Sequence, residues 1–445
     1  MELINAISGF IWGIPMLGLL FGTHIYMTIR TRAIQKRMFK GIAMSLRART
    51  PGGGQISGFA ALMTSLAATL GTGNIVGIAG AVLLGGPGAV FWCWIAGVFG
   101  IATKYAESLL AVRYRVRRPD GGYSGGAMYM LERGLHSRTL AVFFSVMCAA
   151  GGLGMGSMVQ ANSITVITGD MLGIPGYMCG AVVAFLAACV MLGGVRSIAG
   201  FCERLVPWMS GIYTLGCILI ILINARFLGQ AVNMIFSSAF SLQAGAGGIM
   251  GAGMTAAMRF GISRGLFSNE AGLGSSPIVT AAAGGNNAEE QALIAATATF
   301  WDTVVMCAIT GITVVVSIAA VPSLSGCLDG GALIRGVFKQ VPFLGSFIMI
   351  FGVFTFAFAT IVGWSFYGER AVEYLWGGRF VQSYRIAWII CVYLGSLVPL
   401  HMVFGLADIL NAGMALPNIL ALILLYKNSA VGKNGELRQG LRNRT

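Results

Sequence analysis

Long apolar runs alternate with short polar segments along almost the whole chain. A hydropathy scan marks eleven runs that are long enough to form membrane-spanning helices. They lie at about residues 4–27, 57–85, 88–112, 139–168, 174–195, 205–224, 248–282, 290–320, 344–368, 384–400 and 402–426. This pattern predicts an all-α polytopic membrane protein with about 11 transmembrane helices. The first run lacks the basic start and the cleavage site of a signal peptide, so we expect it to be retained.

The run at 57–85 carries an interruption at its centre, where Gly71, Thr72, Gly73 and Asn74 follow one another. Because glycine is the poorest helix former after proline, the pattern predicts that a spanning helix breaks here. Backbone groups freed at membrane depth must be buried in protein or line a cavity, and in transporters such groups bind ions and substrates. The interruption is therefore a candidate binding site.

The run at 248–282 repeats this interruption with a polar, glycine-rich stretch that extends from Gly265 to Pro277. Each interrupted run is the first of five, and the two sets occupy 57–224 and 248–426. Since five is odd, the second set enters the membrane from the opposite side, as in an inverted-topology repeat. Such a repeat predicts a site near the membrane midplane, between the two interrupted helices.

The third run of each set should flank that site. Both runs carry polar residues in apolar surroundings, and Gln160 and Thr360 lie 200 residues apart. That spacing is close to the 195 residues between Thr72 and Phe267 in the two interruptions. Intramembrane glutamine and threonine can also serve only to hold helices together. Their coincidence with the repeat favours a binding role.

Basic residues are distributed asymmetrically between the loops. If the first loop is cytoplasmic, strict alternation places 23 of the 29 Lys and Arg residues on the cytoplasmic side. The positive-inside rule therefore predicts an external N-terminus and a cytoplasmic C-terminus. The expected parts are an N-terminal helix with a basic cytoplasmic loop (1–56), a first five-helix repeat (57–224), an external connection (225–247), an inverted second repeat (248–426) and a basic cytoplasmic tail (427–445).

Composition supports the membrane class and excludes others. Of the 445 residues, 56% are hydrophobic and 10% charged, and the mean hydropathy is +0.80, unlike a soluble protein. The net charge of +14 would suit nucleic acid, but the basic residues follow the loops, so we expect no nucleic-acid partner. The nine cysteines show no CxxC spacing and the three histidines lie far apart. The sequence therefore indicates no metal cluster, no cofactor and no enzyme site.

The two interruptions suggest complementary chemistry. Amide groups at the start of the half-helix near Gly73 suit a carboxylate. Carbonyl groups before the break, near Thr69 and Leu70, together with the Thr360 hydroxyl, suit a dehydrated sodium ion. Carbonyl groups around Phe267 in the second interruption suit an ammonium group. A site with these two ends fits a zwitterionic amino acid.

Bulky neighbours limit the size of that amino acid. Phe267 lies in the second interruption, and Trp364 follows Thr360 by one helical turn. We expect these side chains to leave little space, which favours alanine or glycine. Helix packing is the alternative role for either aromatic residue.

Ionisable residues inside the apolar runs need partners. Lys104 and Glu107 are three residues apart, so they are predicted to pair with each other in a structural role. Glu270 and Asp302 have two open roles, which are to neutralise a nearby arginine or to take part in ion coupling or gating. The nearby arginines are Arg259 and Arg264.

Three stretches of the sequence resemble a known transporter family. They are TSLAATLGTGNIVGIAGAVLLGGPGAVFW from Thr64, ATKYAESLLAVRYR from Ala102 and NEAGLGSSP from Asn269. On these motifs the chain resembles, over nearly its whole length, the alanine or glycine:cation symporter family, also called the sodium:alanine symporter family. The resemblance implies a LeuT-type fold of five plus five helices with one additional N-terminal helix. It also implies a bacterial inner-membrane location and import of alanine or glycine with Na⁺.

The resemblance implies roles for individual residues as well. The substrate-contacting positions that match the family pattern are Thr72, Gly73, Gln160, Phe267, Thr360 and Trp364. The implied sodium ligands are Thr69, Leu70 and Thr360, two of them through backbone carbonyls. One motif departs from the family: its usual Gly-Gly-Pro-Met-Tyr-Tyr reads Gly-Gly-Ala-Met-Tyr-Met over residues 125–130. The resemblance therefore says less about the cytoplasmic gate than about the binding site.

We accordingly expect a secondary active transporter that couples Na⁺ entry to uptake of alanine, glycine or D-alanine by alternating access. The expected partners are the amino acid, Na⁺ and membrane lipid. One alternative is a proton-coupled carrier or an exchanger, for which Glu270 is the only carboxylate placed in the predicted site. Another is a channel, which would not show saturable uptake.

Overall fold

The computed structural model describes residues 9–48, 55–240, 253–285, 287–398 and 400–427, and nearly all of them are helical. The helices are α1 (Ile14–Arg30), α2 (Met38–Arg47), α3 (Gly58–Thr69), α4 (Gly73–Gly85), α5 (Ala89–Arg113), α6 (127–134), α7 (Arg138–Leu172), α8 (Gly176–Met191), α9 (Gly194–Ile223), α10 (Leu228–Phe240), α11 (Met254–Asn269), α12 (Pro277–Ala282), α13 (Ala288–Ala320), α14 (Gly330–Phe338), α15 (Leu344–Trp376), α16 (Val381–Gly395) and α17 (Leu400–Lys427). A short antiparallel hairpin, β1 (Val116–Arg117) and β2 (Tyr123–Ser124), joins α5 to α6.

In the part of the chain that the structure describes, six helices are long and apolar enough to cross a membrane, namely α5, α7, α9, α13, α15 and the part Gly405–Lys427 of α17. Helices α3 and α4 pass the same test together and form a seventh span if the 56° bend between them lies inside one span. The predicted runs at 4–27, 174–195, 248–282 and 384–400 contain shorter helices of 15 to 17 residues. The total of eleven spans therefore stays a prediction.

Helices α9 and α15 extend beyond their apolar runs by eight residues or more. Helix α9 begins at Gly194, eleven residues before the predicted start at 205. The hydropathy scan missed its first turns because Arg196, Glu203 and Arg204 make them polar. Helix α15 continues past the predicted end at 368 to Trp376. A hydropathy scan measures suitability for lipid and not helix formation, so it misses charged helical extensions.

The first break forms because a side chain takes over a helical hydrogen bond. The Gly71 amide donates to Asn74 Oδ1 at 3.0 Å and not to the carbonyl of Ala67, four residues earlier. The Asn74 amide donates to the Gly71 carbonyl at 3.2 Å and not to that of Leu70. The carbonyls of Ala67 and Leu70 thus lose their helical donors at the predicted interruption.

The second break covers residues 270–276, between α11 and α12. Its backbone enters the left-handed region at Glu270, Gly272 and Gly274, with φ values of 54°, 91° and 77°. Helix α12 begins with Pro277, whose missing N–H costs no hydrogen bond at a first helical position. The predicted interruption is present, but it starts later than Gly265, since α11 continues to Asn269.

Close packing brings α15 against the first break. A Cβ atom added to Gly363 of α15 would lie 2.6 Å from the backbone nitrogen of Ala68 on α3. A Cβ atom at Gly156 of α7 would lie 2.5 Å from Cβ of Trp364. Only glycine permits these approaches, which place Thr360 and Trp364 at the break.

Candidate functional site

A cavity of about 60 Å³ lies where the two breaks meet. Its walls come from the α3–α4 break, the middle of α7, the end of α11 and the middle of α15. The lining residues are Ala68, Thr69, Gly71, Thr72, Gly73, Met155, Val159, Gln160, Arg264, Phe267, Ser268, Glu270, Thr360 and Trp364. This volume has room for about four to six water-sized groups, which is the size of a very small organic molecule.

The structure brings the residues singled out from the sequence together around this one cavity. Thr69 and all six substrate-contacting candidates line it, although they come from four separate segments of the chain. Leu70 lies behind the wall, where its carbonyl accepts a hydrogen bond from the Thr360 hydroxyl at 3.3 Å. Whether these residues bind substrate or cation stays a prediction at this point.

A polar contact joins the first break to α7. The Thr72 hydroxyl donates to Oε1 of Gln160 at 3.3 Å, and Nε2 of Gln160 donates to the Met155 carbonyl at 3.3 Å. Residues Gly152–Met158 form a π-helical stretch, in which the wider turn displaces carbonyls from regular helical bonding. Gln160 is thereby fixed with its amide group at the cavity wall.

Oxygen atoms converge beside the cavity at Thr360. Its hydroxyl lies 3.2 Å from the Ala67 carbonyl, 3.3 Å from that of Leu70 and 3.1 Å from that of Phe356. Two of these are the carbonyls released by the first break. Sequence reasoning missed Ala67, although the capping role of Asn74 could have revealed it.

Thr69 was predicted to bind the cation through its backbone carbonyl and not through its side chain. Its hydroxyl donates to the Ser65 carbonyl at 3.2 Å, within its own helix. The side chain is therefore occupied, and a part in cation binding would fall to its backbone carbonyl.

The Glu270 carboxylate also lines the cavity. Oε1 accepts from the indole N–H of Trp364 at 2.8 Å, and Oε2 accepts from the Ser275 hydroxyl at 2.6 Å. Among the described residues, no arginine nitrogen lies within 4.0 Å of it. Glu270 therefore pairs directly with neither Arg259 nor Arg264, which was one of the two roles that the sequence left open.

Asp302 lies in a buried polar cluster that adjoins the cavity through Ser268 and ties the two breaks to α13. Its carboxylate accepts from Nδ2 of Asn74 at 2.8 Å, from the Ser268 hydroxyl at 2.9 Å and from the Thr303 hydroxyl at 2.7 Å. Nδ2 of Asn74 also donates to Ser268 Oγ at 2.9 Å. Asn74 and Ser268 are 194 residues apart, close to the spacing of 195 between the two interruptions, which were predicted to meet.

Phe267 takes part in packing as well as in the cavity wall. Its ring meets the ring of Trp12 edge to face, with centroids 5.2 Å apart. The indole N–H of Trp12 donates to the Asp408 carbonyl at 2.8 Å. The position of the Phe267 ring is thus set by the segment before α1 and by α17 together.

Lys104 and Glu107 form the predicted pair, with 3.6 Å between Nζ and Oε1 and both side chains fully buried. Lys104 Nζ also donates to the Ser276 hydroxyl at 2.6 Å. Oε2 of Glu107 accepts from the Gly272 amide at 3.2 Å and from Nδ2 of Asn418 at 3.0 Å. The pair therefore holds the second break against α5 and α17, which confirms its structural role.

Comparison with known proteins identifies relatives along the full length. The profile of the sodium:alanine symporter family matches residues 1–434. The sodium/alanine symporter AgcS of Methanococcus maripaludis is 42% identical over 433 residues, which are 95% of this chain and 94% of AgcS. The probable sodium/glutamine symporter GlnT of Bacillus subtilis is 32% identical, over 96% of this chain and 88% of GlnT. The putative sodium/proton-dependent alanine carrier protein YrbD of the same organism is 30% identical, over 98% of this chain and 93% of YrbD.

Two solved transporter structures share the fold. One is a Na⁺-coupled sialic acid symporter in a substrate-bound, outward-open state, with a TM-score of 0.55 and 16% identity over 88% of this chain and 81% of that one. The other is MhsT in complex with L-phenylalanine, with a TM-score of 0.57 and 15% identity over 82% of this chain and 88% of MhsT. At these identities the likeness concerns the fold alone, which is that of the LeuT-type transporters.

The profile match over almost the whole chain and the 42% identity to AgcS decide the classification. This chain belongs to the sodium:alanine symporter family and is an integral membrane transporter, not an enzyme.

Proposed function

We propose that this protein imports a small neutral amino acid, alanine or glycine, together with Na⁺, by alternating access. The observation that carries the proposal is the cavity of about 60 Å³ at the meeting point of the two helix breaks. In secondary transporters, half-helix ends at such a point hold the charged groups of substrate and ion. The size of the cavity fits the five or six non-hydrogen atoms of glycine or alanine better than the larger glutamine side chain named for GlnT.

The substrate backbone has a partner of each sign in this cavity. The amides of Thr72, which precedes α4, and of Gly73, its first residue, lie at the helix start, where such groups have no acceptor within the helix. They and the helix dipole suit the substrate carboxylate. Glu270 and the end of α11 lie at the second break, where an ammonium group would be neutralised. Phe267 and Trp364 then bound the space left for the substrate side chain.

The sodium ion is assigned to the oxygen cluster around Thr360. Carbonyls of Ala67 and Leu70 and the Thr360 hydroxyl would supply three oxygen ligands, with the Thr69 carbonyl as a further candidate. A hydroxyl group rotates freely, so Thr360 can turn its proton away and offer a lone pair when the cation enters. The arrangement suits a hard, partly dehydrated cation.

The proposed architecture is the five-plus-five inverted repeat, with segments 57–224 and 248–426 as its halves and the N-terminus outside. The presence of a break at the start of each half supports it. So does the contribution of the third helix of each half, α7 and α15, to the cavity wall. Rocking of one helix group against the other around this cavity would then alternate access.

Alanine uptake into proteoliposomes is expected to require an inward Na⁺ gradient. Replacement of external Na⁺ by choline should reduce initial uptake to the level of protein-free liposomes, because choline is too large for the oxygen cluster. The measurement is the initial rate of radiolabelled alanine uptake at equal ionic strength. Undiminished uptake in choline would contradict Na⁺ coupling.

Proton coupling is the second candidate, and the position of the Glu270 carboxylate in the cavity wall is the observation that favours it. A carboxylate in this position could carry a proton across in place of a metal ion. The same liposomes test it when an inward pH gradient is imposed without Na⁺. Uptake driven by that gradient alone would support proton coupling.

Substitution Gln160→Ala is expected to raise the KM for alanine by about 3- to 10-fold, because it removes one neutral hydrogen-bonding group from the wall. The matched control is Ser163→Ala, since the Ser163 hydroxyl bonds to Val159 within the same helix and does not reach the cavity. Uptake kinetics of both variants, normalised to protein in the liposomes, provide the test. Equal KM values in the two variants would remove Gln160 from the site.

A further inference from the structure

Arg264 is a second charged group on the cavity wall, opposite in sign to Glu270. It lies on α11, six residues before the break at Glu270. A Cβ atom added to Gly77 would lie 2.6 Å from its Nη1 and 2.8 Å from its Cζ, and one added to Gly73 would lie 3.9 Å from Nη1. The guanidinium group therefore rests against the first turn of α4, in space that exists because residue 77 is glycine.

No protein group pairs with this guanidinium within the described part of the chain. Neither a carboxylate oxygen within 4.0 Å nor a hydrogen-bond acceptor of any kind is found for it there. The charge of Asp408 acts on it from a longer distance. The other acids near the breaks have different partners, since Glu270 and Asp302 accept from neutral donors and Glu107 pairs with Lys104. Arg264 is thus a partly buried cation that faces the cavity and has no direct partner among the residues that the structure describes.

A cation in this position destabilises the protein unless an anion binds next to it. Charged side chains at membrane depth are rare because their removal from water costs several kcal/mol, and they are retained where they serve a site or a partner. The first amides of α4, beside which the guanidinium rests, also carry partial positive charge. Both features raise the affinity of this end of the cavity for an anion.

We propose that Arg264 binds the carboxylate of the substrate, so that Arg264 and Glu270 together select a free amino acid by its two charges. This inference rests on the proposed function. Arginine presents two parallel N–H groups that match the two oxygens of a carboxylate. The cavity then requires a free carboxylate as well as a free ammonium group, and amides or esters of the same amino acid are excluded.

The test compares L-alanine with L-alaninamide, which has nearly the same shape and no carboxylate. Purified full-length protein in nanodiscs is titrated with each compound at saturating Na⁺, with the same carboxylate-free anion at the same concentration in both titrations. Ligand-dependent thermal stabilisation gives each affinity without a labelled substrate and reports folding of every variant. The quantity of interest is the ratio of the two affinities.

Wild-type protein is expected to prefer alanine strongly, and Arg264→Gln should lower the affinity ratio by about 10- to 100-fold through loss of a charge-assisted contact. Arg264→Lys keeps the positive charge but lacks the two parallel N–H groups, so its affinity ratio should lie between those of the wild type and Arg264→Gln. The matched control is Arg259→Gln, five residues earlier on α11, where the guanidinium is exposed and lies over the Phe260 ring at 5.5 Å. It should leave the ratio unchanged.

A second pair of variants tests the same contact without altering any charge. Gly77→Ala places a methyl group where the guanidinium now lies, so the ratio should fall as it does for Arg264→Gln. Gly80→Ala, on the same helix, meets nothing within 4 Å and should not change it. This pair keeps the inference testable if Arg264→Gln does not fold.

Equal losses of affinity for alanine and alaninamide in the Arg264 and Gly77 variants would overturn the inference, since a gating or structural role has that effect. Wild-type protein that binds alaninamide as well as alanine would overturn it too, while leaving the proposed function intact. Wild-type protein that binds no small amino acid in Na⁺ would contradict both.

Discussion

Substitution Thr360→Ala is expected to raise the Na⁺ concentration for half-maximal alanine uptake by about 10- to 100-fold. The hydroxyl is the one side-chain oxygen of the proposed cation cluster, and hydrogen-bonding or ligand groups that act on a full charge are worth about 1.5–3 kcal/mol. The measurement is the initial uptake rate at saturating alanine over a range of Na⁺ concentrations. The rate at saturating Na⁺ should change much less.

Thr355 offers a matched control on the same helix. Its hydroxyl donates to the Phe351 carbonyl at 2.7 Å and to that of Gly352 at 3.2 Å, both within α15. Thr355→Ala should therefore leave the Na⁺ dependence within about twofold of wild type. Thr360→Ser retains the hydroxyl and should behave in the same way. If the two alanine variants respond alike to Na⁺, the assignment of the cation to Thr360 is wrong.

Thr360 also suggests how ion and substrate could be coupled. It lines the cavity and, through the Leu70 carbonyl, touches the segment whose next residues, Thr72 and Gly73, face the proposed carboxylate position. A cation that orders Leu70 would therefore also order the amides that receive the substrate. Binding of one ligand then lowers the conformational cost of binding the other, which is positive cooperativity.

The location of the cavity was predictable because the helix breaks that form it have a local cause. Glycines next to hydroxyl-bearing residues predict a helix break from sequence alone. Two such breaks, each in the first of five apolar runs, predict that the breaks meet near the membrane midplane. Gln160, Thr360 and Trp364 followed from their places in the repeat, and all line the cavity. The extension of α9 to Gly194 was missed because its first turns are charged.

The partners of charged residues were not predictable, since they depend on contacts between distant segments. Neutralising an arginine was one of the two roles left open for Asp302, and its oxygens instead accept from Asn74, Ser268 and Thr303. Glu270 binds Trp364, 94 residues further along the chain. Within the described ranges, Arg264 consequently has neither Glu270 nor another carboxylate as a direct partner, and the inference about substrate recognition rests on this observation.

The buried pair of Lys104 and Glu107 differs from these groups because it was predicted from an i, i+3 spacing on one helix. Its surroundings could not be predicted. Ser276 and Gly272 of the second break, and Asn418 of α17, complete its hydrogen bonds. Oε1 of Glu107 has no hydrogen bond among the described residues, so Lys104 is its main stabilising contact. Removal of the lysine would therefore leave a buried carboxylate with half of its oxygens unsatisfied.

Substitution Lys104→Met is accordingly expected to lower the free energy of unfolding by about 3–5 kcal/mol, the usual cost of leaving one member of a buried ion pair alone. Glu107→Gln added to Lys104→Met removes the uncompensated charge and should restore part of the loss. Denaturant titration of the purified protein, followed by the loss of ligand binding and of helicity, measures both. Transport per folded molecule should fall as well, because the pair holds the second break in place.

The control for this prediction is the pair of Arg335 and Asp170, which are 2.9 Å apart but 28% and 50% exposed. Water and ions screen such a pair, so Arg335→Met should cost at most about 1 kcal/mol. The same chemical change is thus expected to differ several-fold in effect between the two positions, with burial as the cause. Equal costs would mean that Lys104 is solvated or that the second break does not depend on it, and the tie between α5, α17 and the second half of the site would be contradicted.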